Sequence, residues 1–214
     1  MRSDYSMPRR IIDLSTPLYD GVRGMTTEPE TSIEVQGYTT SMLHLYSHAG
    51  THMDAPKHFV EGGGTIDNVD LQACVGPAQV FDLTPIEPHG KITVEDLGSA
   101  VDRIDAGSRV LLRTDWCLHV AEQDFRTHMP RISQSLAEWL VERQVALLGV
   151  EQPSVASVRP GDEEELRQVH RTLLLGGVVI VEGLCNLFAL RQTQVDFVAL
   201  PLRLQQGDGS PVRA

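Results

Sequence analysis

Cysteine, aromatic residues and positive charge are all scarce in this sequence. The three cysteines, Cys74, Cys117 and Cys185, are odd in number, widely spaced and without a CxxC pair. That excludes a disulfide framework and a zinc knuckle, and it fits a reducing compartment. They read as small core or interface residues. Lys and Arg number 18 against 29 Asp and Glu, a formal charge of −11, which repels a phosphate backbone, so no nucleic-acid partner is expected. No run approaches the ~18 apolar residues of a membrane span, and Met1 to Arg10 carry charge with no apolar segment behind them. No membrane partner is expected, and a cytoplasmic location is the default.

The 214 residues, 41% hydrophobic and 22% charged, have the composition of a globular protein able to bury its own core. No fixed-period repeat, low-complexity tract or linker divides them. A single domain spanning 1–214 is expected, with 1–10 as a possible mobile N-terminal arm.

Short apolar runs recur at Arg10 to Leu14, Ile33 to Tyr46, Ala78 to Leu83, Arg109 to Arg113, Val145 to Val150, Val178 to Val181 and Val195 to Leu204. Their β-branched content and flanking Gly, Pro and Asp predict strands. Helices are predicted over Thr93 to Ile104, which carries Val94, Leu97, Val101 and Ile104 at helical spacing, and over Ser133 to Arg143, with Ser135 and Glu138 in capping-box spacing. A third, Asp162 to Leu175, opens on an acidic first turn. The segments Tyr19 to Ser32 and Glu61 to Gly64 are too polar and Gly-rich to be elements and are expected to be loops beside a site. The pattern is that of a mixed α/β domain.

Four of the eight histidines fall between His44 and His58. Three of them share the segment His48-x3-His52-x-Asp54-x3-His58 with an aspartate. Imidazole and carboxylate are ligands that Zn²⁺, Mn²⁺ and Fe²⁺ accept, and a catalytic site needs about three of them with a position left open. Packing offers no reason to place such a group in one turn, whereas the isolated His44, His89, His119 and His128 read as ordinary surface or core residues. Gly50 and Pro56 oppose a helix here. A strand ending near Ser47, a turn at Gly50 that folds His48 back beside His52, and extended backbone that points His52 and Asp54 the same way would make a chelate.

The segment His48-x-Gly50-Thr51-His52-x-Asp54-x-Pro56-x-His58 resembles the HxGTHxDxPxH signature of the cyclase-like metal-dependent hydrolases, the family of bacterial kynurenine formamidase and isatin hydrolase. Asp13-Leu14-Ser15, Val110 to Thr114, Gly149 to Ser154, His170, Gly177, Glu182-Gly183-Leu184 and Asn186 extend the resemblance over most of the chain. It implies a swivelling β/β/α-type single domain with a mixed central sheet, assembled as a homodimer or homotetramer. It also implies a metal-dependent amidohydrolase that cleaves a C–N bond of an amide or cyclic amide in a small-molecule substrate. By the same resemblance His48, His52, Asp54, His170 and Glu182 are metal ligands, for one or two Zn²⁺ with Mn²⁺ as the alternative, and His58 is the catalytic proton shuttle. Hydrolysis of isatin or a lactone on the same site, or a metal-binding module without turnover, are the alternatives.

From the residues alone, Glu182 at the end of Val178-Val179-Ile180-Val181 is a carboxylate that requires a partner if buried. Tyr19, Arg23 and Thr51 are candidate substrate-binding residues: Arg23 offers a bidentate donor for a carboxylate, and Thr51 a hydroxyl for a ligand or for the turn itself. The sequence departs from the family where Tyr19 to Thr26 lacks the tryptophan and Pro-Gly-Asp turn usual there. Glu151 stands where the formamidases carry aspartate, with an expected effect on the pocket wall.

Overall fold

The computed structural model describes residues 10–214; the first nine residues of the expected arm lie outside them. In chain order the strands are β1 (Met25–Thr31), β2 (Thr40–Leu45), β3 (His52–Asp54), β4 (Val75–Asp82), β5 (Lys91–Ile92), β6 (Arg109–Arg113), β7 (Arg131–Ile132), β8 (Leu147–Val150), β9 (Val179–Glu182), β10 (Gln194–Val198), β11 (Leu200–Pro201) and β12 (Gly209–Arg213). The α-helices are α1 (Ile33–Gln36), α2 (Gln134–Glu142) and α3 (Glu163–Leu175).

Among the described residues one eight-stranded sheet runs β10-β4-β6-β8-β9-β3-β12-β11. Its centre, β4, β6, β8 and β9, is parallel, and the strands on both flanks are antiparallel. This is the mixed sheet of a swivelling β/β/α domain. Parallel strands covered on both faces read as continuous apolar runs, and Val110-Leu111-Leu112 shows how one run serves two cores. Val110 and Leu112 enter the core under the helices, with Leu148, Val150 and Ile180, while Leu111 enters the opposite core, with Leu147, Val181 and Met53. α2 and α3 close the first core with Leu136, Leu140, Val169 and Leu173, all fully buried. Each such side chain contributes about 1.5–3 kcal/mol on leaving water.

Ser133 caps α2 by accepting a hydrogen bond from the Leu136 amide at 3.1 Å, so Ser135 and Glu138 are not a capping box. Glu163, Glu164 and Glu165 occupy the first turn of α3, where carboxylates complement the helix dipole.

Three expectations are corrected. Thr93 to Ile104 is not an α-helix: Glu95–Arg103 forms 3₁₀ turns broken at Gly98, whose φ of 56° and ψ of −150° are open essentially to glycine alone. Thr93 does not cap it, because its amide and hydroxyl both donate to Asp96. The single strand over Ile33 to Tyr46 and the loop over Tyr19 to Ser32 become instead a hairpin, β1 against β2, with α1 at its tip. The segment before Ser15 is irregular, and Ser15 makes only an isolated bridge to Leu184. Glu61 to Gly64 is a loop as expected, and the Lys57 amide donates to the Gly64 carbonyl at 2.9 Å, bracing the turn that carries His58.

Candidate metal and active site

Two periodicities bring the site together. In β9 alternate side chains face opposite cores, so Glu182 lies on the side of Ile180, towards the helices, while Val181 faces away. In β3 Met53 joins the far core and leaves His52 and Asp54 on the helix side. The antiparallel register then sets His52 directly opposite Glu182 and Asp54 opposite Ile180. On α3, His170 lies on the buried stripe with Val169 and Leu173. His52, Asp54, His170 and Glu182 are each no more than 3% exposed.

The distances are those of a chelating group. His52 Nε2 lies 3.2 Å from Glu182 Oε2 and 3.7 Å from Asp54 Oδ1. His170 Nε2 lies 3.4 Å from Glu182 Oε1 and 3.8 Å from Asp54 Oδ2. Backbone carbonyls fix both tautomers: His52 Nδ1–H donates to Gly50 at 2.9 Å and His170 Nδ1–H to Leu166 at 2.7 Å. Both Nε2 atoms are thereby turned to the centre, the arrangement that orients metal-binding imidazoles. Asp54 Oδ2 is buried with no hydrogen-bond partner among the described residues. An unmatched buried acceptor costs about 1–3 kcal/mol or more, and two imidazoles with two carboxylates are a donor set that a divalent cation fits.

A second group shares Asp54. Ligand atoms of His48, Asp54 and His58 lie within 4.8 Å of one another, as do those of His52, Asp54 and Glu182. The expected trio of His48, His52 and Asp54 is therefore divided, with His48 grouped beside His58. Gly50, at φ 59°, makes the reversal, and the rings of His48 and His52 meet edge to face at 5.1 Å. His48 Nδ1 is 2.9 Å from Asp54 Oδ1 and its Nε2 3.1 Å from Asp208 Oδ2.

Burial opposes charge on His52 and His170, but the hydrogen bond and charge of Glu182 outweigh it and raise both imidazoles above their ordinary value. Burial likewise opposes charge on His48, and Asp54 and then Asp208 outweigh it. Glu182 is pushed upward by burial, yet the His170 and His52 hydrogen bonds hold it well below the usual carboxylate range. His58 goes the other way, lowered first by burial and then by its neighbours His48 and His170.

His58 stacks on His48 at a centroid distance of 4.0 Å and meets Phe59 edge-on at 4.4 Å. Phe59 in turn stacks on His170 at 4.2 Å. Arg23 lies over the Tyr46 ring at 5.4 Å, and Tyr46 lies 5.4 Å from His48, so Arg23 is two ring contacts from the cluster. Tyr19 is 60% exposed in the same turn. Thr51 is buried, and its hydroxyl donates to the Gly183 carbonyl at 2.6 Å and accepts from the Thr16 amide at 2.8 Å. It joins the His48 turn to the strand end bearing Glu182. Glu151 accepts from the Thr114 and Asp115 amides at 2.8 and 2.5 Å and so anchors the loop after β6.

Asp208, Tyr46 and Phe59 were not singled out by sequence. Asp208 lies between two glycines just before β12, where Gly209 pairs with Asp54. Tyr46 stands two residues before His48, in the turn closed by the Ala49 amide donating to the Tyr46 carbonyl at 3.1 Å. The remaining histidines are ordinary: His44 pairs with Glu28 at 3.3 Å and His119 with Glu122 at 2.7 Å, while His128 pairs with Asp124 and touches the ring of His89.

Comparison with known proteins agrees with this geometry. The model of the cyclase family, described as "Putative cyclase", matches residues 12–157. Kynurenine formamidase of Bacillus cereus is 33% identical over 210 residues, covering 95% of each chain. The structure named "Potential Metal-Dependent Hydrolase With Cyclase Activity" is 30% identical, covers 94% of both chains and superposes with a TM-score of 0.76. Isatin hydrolase A of Ralstonia solanacearum is 26% identical over 95% of this chain and 90% of its own, with a TM-score of 0.81.

Proposed function

The chain belongs to the cyclase family and is a metal-dependent hydrolase, and from that premise we propose that it cleaves the C–N bond of an amide or cyclic amide with His58 carrying the proton. The observation that carries this reading is Asp54, whose buried Oδ2 has no hydrogen-bond partner among the described residues and lies 3.8 Å from His170 Nε2, while its Oδ1 lies 3.7 Å from His52 Nε2. His52, Asp54, His170 and Glu182 are the ligands of one divalent cation, and His48 joins Asp54 at a second position. The nitrogen and oxygen donors suit Zn²⁺, one or two per site, with Mn²⁺ as the alternative. When bound, such a cation lowers the pKa of water towards ~7 and polarises a substrate carbonyl.

His58 is suited to move the proton because it stands at the open side of the cluster, its side chain 27% exposed against 2% for His170. Stacking on His48 and the edge of Phe59 hold its ring in place. As the water oxygen bonds to the carbonyl carbon, His58 accepts the water proton; as the C–N bond breaks, it returns that proton to the departing nitrogen. Thr51 keeps the His48 turn in register, whereas Tyr19 and Arg23 stand at the rim where a substrate enters. The relatives named kynurenine formamidase and isatin hydrolase support a linear or a cyclic amide as substrate.

Assembly as a homodimer or homotetramer is supported by the hairpin, which leaves Ile33, Val35, Met42 and Leu43 more than half exposed. Among the described residues no helix is long and apolar enough to cross a membrane, and three unpaired cysteines support a cytoplasmic location.

Metal analysis followed by a panel of formanilides, isatin and small lactones tests the activity. Hydrolysis by wild type and its loss in His58→Ala are expected. A protein that holds metal and hydrolyses none of the panel overturns the reading.

A further inference from the structure

We propose that Asp208 is a positioning residue of the metal site: it holds the Nε2 edge of His48 and thereby keeps His48 Nδ1 turned to the cation position shared with Asp54. The inference rests on the metal reading above and adds Asp208, which no sequence motif marks. An imidazole turns about its Cβ–Cγ bond with a broad, roughly two-fold preference. One contact at Nδ1 therefore fixes the ring poorly, and a partner at the far nitrogen decides its plane.

His48 has a carboxylate at each end. Its Nδ1 lies 2.9 Å from Asp54 Oδ1 and its Nε2 3.1 Å from Asp208 Oδ2. With Nδ1 left for the cation, Nε2 carries the proton and donates it to Asp208, a charge-assisted hydrogen bond. The pairing of β3 with β12 presents the two carboxylates: Gly209 stands opposite Asp54, and the Ala55 amide donates to the Asp208 carbonyl at 2.9 Å. A Cβ at position 209 would fall 2.8 Å from His48 Cε1 and 3.1 Å from its Nε2, so glycine lets the strand pass this close to the ring. Asp208 belongs to neither group of candidate ligand atoms, so its contact is with the imidazole and not with the cation.

The loop bearing Asp208 is anchored to the segment that carries His58. Lys57 Nζ donates to the Gln206 carbonyl at 2.6 Å and the Ile66 amide to the Gly207 carbonyl at 3.0 Å. His58 Nδ1 lies 4.0 Å from the same Asp208 oxygen, and the His58 ring stacks on His48 at 4.0 Å. Fixing the plane of His48 thus also fixes the surface on which His58 rests.

The test titrates Zn²⁺ alone into chelator-stripped protein by calorimetry. Asp208→Ala should weaken Zn²⁺ binding by about 10- to 100-fold, and Asp208→Asn, whose amide oxygen still accepts from Nε2–H, by less. In a His48→Ala background, Asp208→Ala should change the affinity by no more than about twofold, because the ring it acts through is gone. Asp67→Ala removes a support of the same loop, the bond from the Gln206 amide at 3.1 Å, and is the control at wild-type affinity. Unaltered affinity in Asp208→Ala, or an equal loss with and without His48, overturns the proposal. Should Asp208→Ala fail to fold, Asp208→Asn carries the same cycle.

Crystal structures of the metal-free proteins separate this outcome from failure of the metal reading. In Asp208→Ala the His48 ring should turn away from Asp54 and its stack on His58 should open, whether or not a cation binds. If wild type takes up no Zn²⁺ and the ring turns in Asp208→Ala, the metal reading falls and Asp208 stands as the residue that orients His48. A ring that keeps its place in Asp208→Ala overturns the proposal.

Discussion

His52, Asp54, His170 and Glu182 stand on two paired strands and a helix and are almost fully buried, whereas Arg23, Tyr46 and His58 stand on turns and reach the surface. The inner wall takes its geometry from strand register and from carbonyls that fix two imidazole tautomers. The mouth takes its geometry from rings laid on one another. A cation demands ligand positions accurate to a few tenths of an ångström, which rigid elements supply, while substrate choice changes most readily on loops. The difference separates what a hydrolase of this fold must keep from what it can vary.

The sharpest way to break the comparison is His52→Ala. Bound Zn²⁺ should fall by well over half, and hydrolysis by at least about 100-fold; full metal occupancy in this variant would remove His52 from the inner wall. Next in size is His58→Ala, which should lower kcat by about 10²–10⁴-fold with bound metal retained. Parallel loss of metal would move His58 from the mouth into the ligand set.

Thr51 lies on the seam between the two regions. Thr51→Val should cost about 1–3 kcal/mol of stability in urea unfolding, with KM unaltered. A raised KM at unchanged stability would return Thr51 to the substrate.

The smallest effect belongs to Asp13, far from either region, whose carboxylate accepts from Arg213 at 2.8 Å and ties the start of the described chain to β12. The Arg213 hydrogen bond holds Asp13 below its ordinary value of 3.8. A carboxylate so depressed stabilises the fold above that value, and the contribution is lost as pH falls through the lowered one. Asp13→Asn should therefore be slightly less stable than wild type at pH 7, and the gap should close in acid. A gap that persists at pH 2 would mean that the pair acts through something other than charge.

Much of the inner wall was legible because its ligands carry their own signal. Three histidines and an aspartate in one Gly- and Pro-containing turn, and a glutamate ending an apolar strand, have no packing rationale. The bend at Gly50 and the common direction of His52 and Asp54 followed from backbone rules alone. His170 was legible only by resemblance, since on its own it reads as a residue on a helix surface. The mouth was less legible, because tyrosine, phenylalanine and arginine are common residues whose meaning depends on what lies beside them. Tyr46, Phe59 and Asp208 come from three separate segments. Local pattern also misled where apolar spacing was right and backbone was not: Val94, Leu97, Val101 and Ile104 keep a helical rhythm that Gly98 interrupts.

By itself the sequence determined a mixed α/β chain, a metal-chelating turn and the chemistry of its donors, because residue type and short-range periodicity carry that information. Only the tertiary structure decided that His48 groups with His58 rather than His52, and that Thr51 and Glu151 hydrogen-bond to the backbone of segments distant in the chain. Those facts depend on register between β3 and β9 and on contacts across many residues of chain. Local sequence holds no record of such distances.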